Sequence, residues 1–175
     1  MLFGGFFLLA LFGAVVVLWR EVGQVGTDEL SPRGHLLERL YVWKMAALGW
    51  AAVLTGTYLV YPWYRAVPPK GLTNLAGYPK ALLLASPATA GWHSLGMEWK
   101  EHVAWLAPIA ATMVAYVWSK HRRVLQENRQ LRAAVLGFAL IAFVAAGVAG
   151  FFGAMINKAA PVEGGRTIVL MQEAK

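Results

Sequence analysis

Residues 133–156 read AAVLGFALIAFVAAGVAGFFGAMI, a run with no charged residue, no histidine and no amide or hydroxyl side chain. As an α-helix it extends about 36 Å, enough to cross a hydrocarbon core of about 30 Å. Three further uncharged stretches lie upstream. Residues 2–19 read LFGGFFLLALFGAVVVLW, residues 45–63 form the second stretch, and residues 103–119, the shortest, contain Pro108. Nothing basic precedes the first stretch and Arg20 follows it, which is the pattern of a retained span and not of a cleaved secretory signal.

Composition agrees with four spans. Of 175 residues 58% are hydrophobic and 14% charged, and mean hydropathy is +0.51. Soluble domains carry about 25% charged residues. The fold expected is all-α and integral to a membrane: a four-transmembrane-helix bundle with a long structured extracytoplasmic loop, 64–102, between the second and third helices. A short extracytoplasmic tail, 158–175, completes it. Ala47, Ala51 and Thr55, then Ala107, Ala111 and Ala115, then Ala146, Gly150 and Ala154 recur every four residues, a spacing that lets membrane helices approach closely.

The net charge of +7 fits basic residues at span ends beside anionic lipid better than it fits nucleic acid, so no nucleic-acid partner is expected. Arg20, Arg33, Arg39 and Lys44 lie between the first two spans, and Lys120, Arg122, Arg123, Arg129 and Arg132 between the last two. The opposite side carries Arg65, Lys70, Lys80, Lys100, Lys158, Arg166 and Lys175, spread over longer segments. Short connections weigh most in orientation, so both termini are expected outside a cytoplasmic (inner) membrane.

Cysteine is absent, which excludes disulfides, thiolate metal sites, iron–sulfur clusters and covalently attached haem. The middles of the spans lack ionisable side chains, which disfavours a pump or ion-coupled transporter. Hydrolase and phosphate-binding motifs are missing as well. Chemistry is left to the segment 64–102. It opens with YPWYRAVPPKG, where Pro62, Pro68 and Pro69 are expected to end the helix. It closes with GWHSLGMEWKEHVAW at 91–105. Ser86-Pro87, like Ser31-Pro32, has the N-cap and N1 chemistry of a helix start, and Leu82–Leu84 make an apolar run too short to cross a bilayer.

If residues 91–105 are helical, Glu98, His102 and Trp105 share one face, with His93 and Met97 on another. Glu98 and His102 form an i,i+4 pair able to orient the imidazole. Three readings compete. Trp63, Trp92, Trp99, Trp105, Tyr58, Tyr61 and Tyr64 could form an interfacial aromatic belt beside merely solvated histidines. His93 or His102 could ligate a haem b, with Met97 and Glu98 beside it. His93, His102, Glu98 and Glu101 could hold a metal ion. A second haem between His35 and His121 is strained, because His35 lies about 15 Å below the second span.

The chain resembles four-helix b-type cytochrome subunits in architecture only, since those carry their histidines inside the spans. Function is expected to be that of a small subunit of an electron-transfer complex, packed among other membrane subunits in the lipid bilayer and carrying haem b or no cofactor. The alternative is a cofactor-free scaffold that docks a soluble partner through the loop. Thr167–Gln172 in the tail has strand-like composition.

Overall fold

The computed structural model describes residues 2–23 and 32–161. Its helices, in chain order, are α1 (Leu2–Gly23), α2 (Pro32–Thr55), α3 (Tyr61–Tyr64), α4 (Pro79–Leu84), α5 (Pro87–Glu98), α6 (Leu106–Lys120), α7 (Arg122–Glu127) and α8 (Arg129–Ala159). Two five-residue π-turns join neighbours into longer rods: π1 (Gly56–Val60) links α2 to α3, and π2 (Trp99–Val103), with a turn at Ala104 and Trp105, links α5 to α6. Four stretches are long and apolar enough to cross a membrane: Phe3–Arg20, Arg33–Tyr64, Pro87–Lys120 and Arg129–Ala159. The expected strand at Thr167–Gln172 lies outside the described residues.

The second rod runs through Pro62, where the sequence had the helix ending. A proline inside a helix removes one amide and pushes against the carbonyl four residues back. Here the wide turn π1 sits immediately before it, made easier by Gly56 and by Thr55, whose hydroxyl donates to the carbonyl of Ala51 at 2.6 Å. Pro108 lies farther beyond π2, inside α6, and at the joint itself the Ala104 amide reaches back to the Trp99 carbonyl at 3.0 Å. The rod ends at Arg65, ahead of Pro68 and Pro69. The third rod begins at Pro87 and not at Val103. Ser86 precedes it in extended conformation, but its side chain makes no capping bond; its carbonyl receives the amides of Thr89 and Ala90 instead.

Helices α1, α2, α6 and α8 pack as a ring in which each touches the next and α8 returns to α1. Their shared core is small and aliphatic, with Leu11, Leu18, Met45, Ala111, Ala115 and Ala139 fully enclosed. The small-residue expectation holds on α6, where Ala107, Ala111 and Ala115 are buried. On α2 the seam is Ala46 and Gly49, with the Phe7 ring over Gly49, while Ala47 is exposed. On α8 it is Ala139, Ala142 and Ala145, while Gly150 and Ala154 are exposed. Ridges three apart replace ridges four apart there, the two choices that helix surfaces offer.

One end of the ring is tied by Glu38, whose carboxylate meets Arg122 at 3.2 Å and receives the Trp118 indole N–H at 3.4 Å. Arg122 stacks on the Trp118 ring. Arg132 is buried and donates to the carbonyls of Leu125 and Gln126, closing the α7–α8 turn. Asn128 caps α8 by accepting the Leu131 amide at 3.0 Å.

Candidate functional site

The opposite end carries His93, Met97, Glu98, Glu101 and His102, and it is roofed by chain 64–86. Leu83 of α4 is fully buried against Tyr64, Met97, Ile156 and Ala160, a second core separate from that of the ring. Gly96 is needed there, because a Cβ would lie 3.3 Å from Phe152 and Ile156. Of the run Leu82–Leu84, Leu83 and in part Leu82 pack into this second core, while Leu84 is exposed.

Tyr61, which closes π1, donates its phenol to the Glu101 carboxylate in the middle of π2. The Arg65 guanidinium covers the Tyr61 ring at 4.9 Å. One turn on, the buried Tyr64 places its hydroxyl 2.7 Å from His93 Nδ1, with the two rings tilted 30° and 5.8 Å apart. Two phenols one turn apart therefore each engage a base, one a carboxylate and one an imidazole.

His102 keeps its predicted partner. Its Nδ1 is 3.4 Å from the Glu98 carboxylate and 3.1 Å from the Glu98 carbonyl, with side-chain exposures of 69% and 74% for the pair. Trp105 leaves that face. The extra residue of π2 turns it inward, edge-on to Trp50 at 6.3 Å, and Trp50 donates to Thr112 Oγ1 at 3.0 Å. Met97 is buried, so its thioether is spent on packing. Lys100, half-buried, lies across α8 with its ammonium over Gly153.

His93 and His102 stand nine residues apart on one rod, about 13 Å along its axis, so they cannot both ligate one iron. In each the Nδ1 is engaged, by the Tyr64 hydroxyl at His93 and by Glu98 at His102. Among the described residues no three of His, Asp and Glu converge as a cage for a metal ion. His35 and His121 are exposed at the other end, His121 edge-on to Tyr116. A cavity of about 50 Å³ between α6 and α8, lined by Met113, Val117, Leu131 and Phe138 among others, is wholly apolar and remote from the histidines.

Of the aromatic residues considered for a belt, Tyr58 and Trp63 are exposed. Tyr64 is buried, Trp92 packs on Phe151 and Phe152, and Trp99 donates to the Ala145 carbonyl at 3.1 Å. Tyr61, Tyr64 and Arg65 are the site residues that sequence reasoning passed over; the signal was a proline amid uncharged helix, which marks a local widening as readily as an end. No family model matches this sequence, and no curated protein and no solved structure matches it either.

Proposed function

We propose that the chain is a small multi-pass subunit of an electron-transfer assembly in a cytoplasmic membrane, with the histidine end outside and one haem b taken on His102 at its rim. The carrying observation is the exposed imidazole of His102, whose Nδ1 is held by Glu98. A carboxylate on the far nitrogen fixes the tautomer and strengthens the ligand. An imidazole so exposed has no slot around it within the chain, so the apolar slot that a macrocycle requires would be completed by another subunit. His93, occupied by Tyr64, is the less suited ligand.

The two polar ties support the placement. From Glu38 to Tyr61 along the second rod is about 34 Å, and from Glu101 to Trp118 along the third about 25 Å. Those spans bracket a hydrocarbon thickness of about 30 Å. Lys44 lies inside the bracket on an exposed face, where its stem can carry the ammonium to the surface. The scaffold reading draws on a different observation: Leu84 and Leu95 are exposed on the roofed end, at 47% and 62%.

A reduced-minus-oxidised visible spectrum of the protein, extracted gently with its partners, tests the first reading. A sharp α band that His102→Ala abolishes and His93→Ala spares is the expected result. A colourless complex recovered in good yield rejects the haem and leaves the scaffold, whereas a stable isolated monomer rejects both.

A further inference from the structure

We infer that the groove between α6 and α8, at the basic end of the ring, is a binding site for an anionic glycerophospholipid, with a hydrocarbon chain seated in the groove and the phosphate on Lys120 and Arg129. The site is independent of the haem and of any partner subunit. Met113, Val114 and Val117 of α6 and Leu131, Ala134, Val135 and Phe138 of α8 line one wholly apolar cavity of about 50 Å³. A cavity without polar partners does not hold water. Met113, Ala134 and Phe138 are exposed, so the cavity opens outward from the ring, where hydrocarbon chains lie.

Positive charge stands where the head group of such a lipid belongs. Lys120 and Arg129 are the end residues of their two membrane-spanning stretches, and the cavity lies inside both. On α6, Met113, Val117 and Lys120 fall at i, i+4 and i+7, a single stripe of the helix, and Lys120 extends it about 4.5 Å beyond Val117. Arg129 opens α8 about 3 Å before Leu131, at the pole of the helix that favours anions. Both cations are exposed. Residues 120–132 hold five Lys or Arg and one carboxylate, Glu127. Arg122 is paired with Glu38, but Arg132 has no carboxylate among the described residues. It is buried, it binds the carbonyls of Leu125 and Gln126, and its Nε has no hydrogen-bond partner. Buried charges are ordinarily paired, and Arg132 directly follows Leu131 of the cavity wall, so an anion at the groove mouth offsets it. Basic pockets between membrane helices take acidic lipid head groups.

The test uses the full chain in phosphatidylcholine nanodiscs doped with phosphatidylglycerol that carries a photoactivatable diazirine in one acyl chain. Saturable labelling confined to peptides covering residues 113–120 and 129–138 is expected, competed by unlabelled phosphatidylglycerol and not by inorganic phosphate. Lys120→Gln and Arg129→Gln should each raise the half-saturating mole fraction about fivefold. Ala134→Leu, which fills the groove and leaves the charge alone, should also weaken labelling, whereas Lys44→Gln, on α2 across the ring, should not. Labelling spread over all lipid-facing helices overturns the site, as does labelling that the Lys120→Gln/Arg129→Gln double variant leaves unchanged in protein with unaltered circular dichroism. Equal labelling by a phosphatidylcholine probe overturns the anionic assignment, and competition by inorganic phosphate overturns the lipid. Colourless protein that labels as expected keeps this site while losing the haem, so the two readings fail separately.

Discussion

Replacing His93 by alanine should destabilise the roofed end, and replacing Tyr64 by phenylalanine in that variant should restore part of the loss. Tyr64 is 6% exposed and its hydroxyl meets His93 Nδ1 at 2.7 Å. Tyr64→Phe alone keeps the ring in the second core and removes one hydrogen bond, worth about 1 kcal/mol net. His93 is half-buried, so water can replace the lost partner. His93→Ala is not the mirror image. It strands the phenol hydroxyl among Leu83, Met97 and Ile156, where an unpaired buried group costs about 1–3 kcal/mol, and it removes the imidazole's packing as well. The single change should cost about 3 kcal/mol.

In the double variant no hydroxyl is left to strand. It should therefore be more stable than His93→Ala by about 1–2 kcal/mol, although it carries one more substitution. Reversible unfolding in mixed detergent micelles measures all four proteins, and hydrogen exchange over residues 79–98 localises the effect to α4 and α5. Additive losses within about 0.5 kcal/mol would refute the reasoning, because independent sites add. The hydroxyl would then have another way to be satisfied, and the Tyr64–His93 contact would not define the site.

Three further expectations follow from particular contacts. Gly49→Ala puts a Cβ 2.8 Å from the Phe7 ring; the ring must retreat by nearly 1 Å to reach ordinary carbon contact, costing about 1–3 kcal/mol, and Phe7→Leu should relieve it in the same unfolding assay. Arg132→Ala removes two charge-assisted bonds from a buried turn and should cost about 3 kcal/mol by the same measurement, with Arg132→Lys recovering less than half because a single ammonium cannot copy the fork. Because the chain has no cysteine, Asn74→Cys and Glu127→Cys give clean single labels: an impermeant maleimide on whole cells should modify the first and spare the second, and the opposite pattern would invert the proposed orientation.

The four apolar helices were legible from charge and length alone, because excluding ionisable side chains for about 20 residues has few meanings other than lipid. The pairing of Glu98 with His102 was legible too, since i,i+4 spacing is local. What stayed hidden was tertiary. Nothing near Tyr64 in sequence announces His93, and nothing near Tyr61 announces Glu101; both pairs are made by the third rod lying beside the second. The seams on α2 and α8 were misplaced because alanine and glycine populate every face of these helices. Spacing alone could not choose between residues three and four apart.

The sharpest departure, Trp105, explains itself and bears on function. A reading at 3.6 residues per turn carries Glu98, His102 and Trp105 along one face, and it fails at π2, where one added residue turns all that follows. Glu98, ahead of the turn, and His102, within it, are exposed; beyond it, Trp105 turns inward to Trp50 and Leu106 takes the outward place. Without the insertion the tryptophan would stand under the imidazole. Pro62 lies two residues beyond π1, whereas Pro108 sits within α6 and is fully buried in the core of the ring. Local rules are broken in natural proteins chiefly where function requires it, and π2 is the place in the third rod where the 3.6-residue periodicity breaks.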